Sequence, residues 1–331
     1  TKIGWRSKAV KAASELLTRE KFNLIFATAP PQTDFLIGEA LKKKFGLPLV
    51  LDYRDAWLDY PFKYYPTPAH RYQHYRLEKR VLKAADRIVT TVRRVKESIL
   101  SHYLGLDYHD VAIIPQGYDP ADFEFADGAK PSQRRKMRIT HAGTFYADRN
   151  PSVLLQALHN VFHDAPQMRG RVEVVFVGNT REEDQMLVSK LGLQDDVTFQ
   201  GYLPHQECTK RLVDSDILWL VLDNDYQSPG KLYEYFGARK PILGSVVEGY
   251  TKQLVLECGA GVCVPLKDTK AHEGALRNLF AQYEKNQLKQ IPEEFASRYN
   301  RLVLTGELAK QFESLMDLDK NALVKLQEEI S

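Results

Sequence analysis

The chain has 331 residues, 44% of them hydrophobic and 27% charged, with a net charge of only +3. This length predicts two domains, the composition is that of an ordinary globular protein, and the charge is too small to argue for nucleic-acid binding. No apolar run approaches membrane-spanning length, and the three cysteines (Cys208, Cys258, Cys263) include no C-x-x-C pair, which points to buried thiols in a reducing, cytoplasmic compartment rather than a zinc site or disulfide framework.

Apolar runs of strand length alternate with helical periods from the start. Residues 5–19 read as a helix and 23–28 as a buried strand. After a break at Pro30-Pro31, 33–45 repeats with a helical period and 48–52 is the next strand. A long helix over 69–85 leads to a strand at 87–91, a helix at 95–103 and a strand at 111–114. Residues 115–136 then change character. Pro115, Gly117, Pro120, Gly128 and Pro131, with little periodicity and a basic cluster at 134–136, place the domain boundary here.

Beyond it the alternation restarts: strand 138–143, helix 152–163, strand 172–178, helix 181–191, strand 197–199, helix 204–213 and the apolar strand 217–222. A short helix after Ser228 and strands at 241–244 and 261–264 follow, and 270–327 reads as mostly helical and polar. This pattern predicts an α/β fold with parallel sheets covered by helices on both faces. We expect two Rossmann-like domains, 1–120 and 137–300, joined by a linker over 121–136, with C-terminal helices over 301–331. Ligands then bind at the carboxyl ends of the strands, in the crevice between the domains.

The richest stretch is Ser228-Pro229-Gly230-Lys231-Leu232-Tyr233-Glu234, a tight loop opening a helix. Ser228 is placed to cap it, Pro229 suits its first turn, and Gly230 lets a ligand approach the backbone. Free amides and the positive end of the helix dipole attract phosphate. Lys231 and Glu234, three apart, share one helix face, offering a cation to a phosphate and a carboxylate to sugar hydroxyls. That combination describes a nucleotide-sugar site. The plainer reading is a solvated pair of Glu234 with Lys231 or Arg239.

Other positions keep two readings. Gly143-Thr144 is either an ordinary βα turn or a loop whose amides approach a ligand. Arg54-Asp55 is either an internal ion pair or a pair facing a ligand. The aromatic run 60–66 is a Pro-rich loop packed on its own domain or a surface for an acceptor or membrane. His70 and His74 read as positions on a solvated helix rather than metal ligands.

Several segments, in order, resemble the retaining GT-B glycosyltransferases of the family-four type (glycosyl transferases group 1). Residues 228–243 resemble their donor-site helix, and Asp52-Tyr53-Arg54-Asp55-Ala56-Trp57 their D-x-R-D-x-W segment. Residues 78–86 resemble a helix leading into a strand, and Ile114-Pro115-Gln116-Gly117-Tyr118-Asp119 the I-P-N-G-x-D linker segment. Ala142-Gly143-Thr144 is similar to the first loop of their second domain, and Phe199-Gln200-Gly201-Tyr202-Leu203-Pro204 to an F-x-G-x-[LV]-[PS] loop.

The resemblance implies transfer of a sugar from a nucleotide-diphosphate sugar to a saccharide or lipid-linked acceptor, with retention of configuration and no metal or other cofactor, in bacterial surface-polysaccharide synthesis. Peripheral association with the inner face of a membrane is compatible with it. Glu234 would hold the ribose. Lys231, with Ser228, Gly230 and Leu232, would hold the diphosphate, while Gly143, Thr144 and Gly178 line the same edge. Tyr202 and Leu203 would lie beside the base. Lys231, Arg149 and Asp55 are the catalytic candidates.

The chain also departs from the family. Tyr226 stands where a second glutamate contacts the transferred sugar, and Ala27-Thr28-Ala29-Pro30-Pro31 replaces the usual histidine. Arg149 is the only basic residue soon after Gly143-Thr144, where the family has an arginine and a lysine. The chain opens, at Thr1, on what resembles a later helix of the first domain, so roughly two βα units are expected to be missing and that domain incomplete. A nucleotide-sugar epimerase or hydrolase on the same fold, and a two-lobed binding protein without catalysis, remain alternative readings.

Overall fold

The computed structural model describes residues 3–60, 63–126, 136–146 and 148–330, and of 125, 126 and 317–330 the backbone alone. Residues 127–135 of the expected linker, with Arg134 and Arg135, and Pro61-Phe62 of the aromatic run lie outside the described residues. The chain divides into two compact units, Thr1–Pro115 with Leu304–Ser331, and Gln116–Val303.

In the first unit, β1 (Ile25–Ala29), β2 (Leu49–Tyr53), β3 (Arg87–Thr90) and β4 (Val111–Ile113) form a parallel sheet in the order of the chain. Every residue of β2 is buried, as a strand covered on both faces requires. The helix expected over 69–85 is Pro68–Ala84. Thr67 caps it by accepting the His70 amide, and Pro68 occupies its first turn. The last helix, Arg301–Ile330, brings Leu308, Phe312 and Leu315 against Val50 and Val89. These apolar positions recur every three or four residues and make one helical stripe.

The loop after β2 is tied down by its own side chains. The Trp57 indole donates to His74 Nδ1 at 2.9 Å, and the Tyr65 hydroxyl reaches the carbonyls of Trp57 and Leu58 at 3.3 and 3.1 Å. Lys63 donates to the Trp57 carbonyl at 3.3 Å and lies over the Trp57 and Tyr65 rings. Beside it Glu78, 2% exposed, accepts from the Tyr103 hydroxyl at 2.8 Å. Burial pushes the Glu78 carboxyl up to about 7, against the pull of that hydroxyl and of Lys63. Burial, followed by the Lys63 charge, lowers His74 to about 4. His74 therefore does not sit on a solvated face as expected; it is part of the packing of this loop. Of the described part of the aromatic run, Tyr60, Lys63 and Tyr65 are half-buried on their own unit, while Tyr64 and Pro66 are exposed.

In the second unit, β5 (Met137–Ala142), β6 (Val172–Val177), β7 (Val197–Gly201), β8 (Ile217–Leu222), β9 (Ile242–Val246) and β10 (Gly261–Val264) form a parallel sheet ordered β10-β9-β8-β5-β6-β7. The chain moves outward from β5 to β7, then returns to place β8 on the other side of β5. This is the doubly wound order. Leu154, Leu158, Phe176 and Trp219 fill one core cluster, and Leu220, Leu232, Phe236 and Val255 another. Entry and exit of the unit are pinned together: the Tyr118 amide donates to the Tyr299 carbonyl at 3.0 Å, and the Arg301 amide to the Tyr118 carbonyl at 2.9 Å. Cys208, Cys258 and Cys263 are free, the first two buried.

Candidate functional site

β5 pairs with β6 along six residues but with β8 only at Ile139↔Ile217 and Thr140↔Leu218. Past Thr140 two side chains serve the backbone that these strands no longer share. The Tyr235 hydroxyl accepts from the Ala142 amide at 3.1 Å and donates to the Trp219 carbonyl at 3.1 Å. His141 Nδ1 lies 3.0 Å from the same carbonyl. A carbonyl can only accept, so Nδ1 carries the proton and Nε2 is left as an acceptor. The imidazole stacks on Phe145, with ring centroids 4.7 Å apart. Burial, helped by the Lys231 charge, lowers its pKa to about 4 against the pull of the carbonyl, so the ring is neutral.

The carboxyl ends of β5, β6 and β7 meet through glycines. The Gly143 amide donates to the Val177 carbonyl and the Gly178 amide to the Gly201 carbonyl, both at 2.8 Å. Gly178 has φ +122°, and a Cβ there would lie 2.2 Å from the Gly143 oxygen. Only glycine fits. Thr144 beside them is exposed, as is Tyr202 (79%), while Leu203 is half-buried against the core.

Arg149, 8% exposed, straps the loop after β5 to the loop after β8. Its Nε lies 2.7 Å from Asp223 Oδ1, Nη1 donates to the Tyr146 hydroxyl and Nη2 to Gln227 Oε1. This arginine, a catalytic candidate by sequence, thus bridges two loops through partners far from it in the chain. Asn224 donates to Asp223 Oδ1 at 2.9 Å and accepts the amides of Tyr226 and Gln227, both at 3.2 Å. Asp223 Oδ2 has no hydrogen bond among the described residues.

The helix Gly230–Ala238 follows. Its cap residue is Pro229, with no side-chain cap. Ser228 does not cap it as expected, because its buried hydroxyl pairs with that of Tyr233 at 2.5 Å. The Ser228 carbonyl accepts from Gln116 Nε2 at 2.9 Å, and a Cβ on Gly230 would lie 3.1 Å from Gln116 Oε1. Leu232 belongs to the core: its side chain is 0% exposed and its amide is bonded to the Pro229 carbonyl at 3.0 Å. The amides of Gly230 and Lys231 have no hydrogen bond among the described residues. Lys231 Nζ lies 2.6 Å from Glu234 Oε2, with both side chains partly exposed, and Glu234 Oε1 has no such partner. Arg239 turns away, to the Ile291 carbonyl and Glu293.

Asp55 belongs to the other unit, just past β2, and makes no ion pair with Arg54. Burial raises its carboxyl pKa, and the Arg54 charge pulls it back. Among the described residues no group of three or more His, Cys, Asp or Glu is arranged to hold a metal ion, and no helix is long and apolar enough to cross a membrane. Sequence reasoning did not find His141, Tyr235, Gln116 or the Asp223–Arg149 pair. The one local signal was the position of His141 just before Ala142-Gly143.

The family model for Glycosyltransferase Family 4 matches residues 1–122, and that for Glycosyl transferases group 1 matches residues 122–295. The chain is 27% identical over 186 residues to D-inositol 3-phosphate glycosyltransferase of Streptomyces scabiei, which is 52% of this chain and 41% of that protein. It spans 30% to 48% of the length of the curated relatives it matches. It is similar in structure to sucrose-phosphate synthase from Thermosynechococcus elongatus, with TM-score 0.68 and 16% identity over 96% of this chain and 80% of that one. The similarity to Anabaena Alr3699/HepE in complex with UDP has TM-score 0.69 and 16% identity, covering 93% and 82%. At such identities the likeness speaks for the fold alone. By its matched sequence and its two parallel sheets, the chain belongs to the glycosyl transferases group 1 family and has the GT-B fold.

Proposed function

We propose that this protein is a retaining glycosyltransferase whose 116–303 unit binds a nucleotide-diphosphate sugar and whose other unit takes a saccharide or lipid-linked acceptor. The observation that carries this reading is the start of the helix Gly230–Ala238, where two unbonded amides, Lys231 and a free oxygen of Glu234 share one edge. The amides and Lys231 hold the diphosphate and stabilise the charge that grows on it as the sugar leaves. Glu234 Oε1 accepts from the ribose hydroxyls. Gly143, Thr144 and Gly178 give the donor a close approach to backbone, and Tyr202 and Leu203 flank the base. Asp55 positions the acceptor, and no metal is required.

Surface-polysaccharide synthesis in the cytoplasm, at the inner face of a membrane, is the setting we propose. Residues 1–115 carry 20 Lys and Arg against 12 Asp and Glu, a balance that favours an anionic lipid surface. The test is calorimetric titration with UDP, GDP and dTDP and their sugars. One nucleotide should bind, and Glu234→Ala and Lys231→Ala should each weaken it about tenfold or more, as expected for losing a charge-assisted hydrogen bond. Unchanged affinity in both variants refutes the site.

A further inference from the structure

We propose that His141 Nε2 and Asp223 Oδ2 form a hydroxyl-reading subsite for the donor's hexose, standing in for the glutamate that Tyr226 replaces. The proposal rests on the nucleotide-sugar reading of the 230–238 helix. Both groups stand at the carboxyl ends of neighbouring strands, β5 and β8, where these part.

His141 is 6% exposed and fixed in orientation by the Trp219 carbonyl and by stacking on Phe145. Its Nε2 has no hydrogen bond among the described residues, and an added Cβ on Gly143 would lie 3.0 Å from it. The glycine therefore leaves this nitrogen bare at the turn after β5. The ring is buried, yet Nε2 is not among the buried unpartnered side-chain atoms, so it keeps an open side that a ligand hydroxyl can occupy.

Asp223 offers the matching oxygen from β8. Its Oδ1 is taken by Arg149 and Asn224, while Oδ2 is unpartnered. Arg149 balances its charge, so the carboxylate can stand near a diphosphate without net repulsion. Neutral Nε2 and a carboxylate oxygen only accept hydrogen bonds, and a phosphate oxygen at neutral pH also only accepts. Neither group suits the diphosphate. Both suit sugar hydroxyls, and with Glu234 assigned to the ribose, the hexose is the part of the donor they would read.

The experiment titrates the intact chain with UDP, UDP-glucose, GDP and GDP-mannose and reads the ratio of the nucleotide Kd to the nucleotide-sugar Kd. His141→Phe keeps the ring stacking, and Asp223→Asn keeps the shape. Each should lower that ratio about tenfold, with the bare-nucleotide Kd within about twofold of wild type. His141→Gln, which restores an acceptor, should recover part of the loss. A purely structural role for either residue moves both Kd values together and leaves the ratio alone, which overturns the proposal. A wild-type ratio near one overturns it as well.

Deoxyglucose forms of UDP-glucose extend the test to the unmutated protein. At least one missing hydroxyl should weaken wild type about tenfold, and no effect from any of them overturns the subsite. If no nucleotide or nucleotide sugar binds at all, the reading of the 230–238 helix fails and takes the subsite with it. If nucleotide binding depends on Glu234 while the sugar ratio ignores His141 and Asp223, only the subsite fails.

Discussion

The two sheets are both parallel and both end in polar loops, yet they finish those ends in different ways. In the first unit the strands follow chain order without a reversal among the described residues, and the loop after β2 folds onto its own unit. Trp57, Lys63, Tyr65 and His74 satisfy one another there, beside the buried Glu78. In the second unit the order reverses between β8 and β5, and the strands separate two residues into their pairing. The groups around that opening are half-used: Glu234 and Asp223 each keep a free oxygen, and His141 keeps a free nitrogen. Reversal, rather than strand composition, leaves polar groups available for a ligand.

The largest effect should come from crowding the glycines at the ends of β5 and β6, on the strand next to the reversal. Gly178→Ala places a Cβ 2.2 Å from the Gly143 oxygen at φ +122°. Steric overlap and backbone strain together should cost on the order of 4 kcal/mol and abolish nucleotide binding. The control is Gly46→Ala in the first unit, where φ is +72° but nothing lies within 4 Å. It should cost only about 1 kcal/mol, the backbone penalty alone. Urea unfolding measures both, and equal costs would break the comparison.

Proton linkage gives the next effects, from a buried carboxyl of the first unit and a buried imidazole of the second. Glu78 titrates at about 7 in the folded chain against an ordinary value of 4.5. Between those pH values the folded state holds a proton that the unfolded state has lost, so stability falls as pH rises, by on the order of 3 kcal/mol, and levels off above 7. Glu78→Gln should remove that slope and be the more stable protein at pH 8. His141 has the opposite sign. Its folded value of about 4 lies below the ordinary 6.5, so its contribution is lost as pH falls through that window. His141→Phe should lessen the loss on the acid side only, leaving the share that His74 contributes in the same window. Unfolding curves at pH 4, 6 and 8 would sharpen the contrast, and a common slope in both variants would remove it.

Much of the architecture was legible because it is written locally. Alternating strand and helix periods located both parallel sheets, and Lys231 and Glu234 were readable as one face of a short helix. Strand order is not local. Residues 49–53 and 217–222 are both buried along their whole length, yet one strand ends in a packed loop and the other beside the reversal. His141 and Tyr235 are assigned by a carbonyl at Trp219, and Arg149 by an aspartate 74 positions away, which no periodicity connects. Ser228 misled for a different reason. Ser-Pro-Gly has the form of a helix cap, but the Tyr233 hydroxyl inside the core is within its reach and takes the side chain instead.

The smallest effect tests whether the parting of β5 and β8 is built into the topology or held by side chains. Tyr235→Phe removes the oxygen that accepts from the Ala142 amide, while the Trp219 carbonyl keeps its bond from His141. One buried amide loses its partner, which should cost about 1–2 kcal/mol. Hydrogen exchange should then accelerate at Ala142 and stay slow at Ile139 and Thr140, which lie where β5 is paired on both sides. If acceleration instead spread along β5, the hydroxyl would be holding the strands in register. The opening would then be a property of one side chain. Acceleration confined to Ala142 means the separation is already fixed by where the chain turns back, with Tyr235 only satisfying the backbone exposed there.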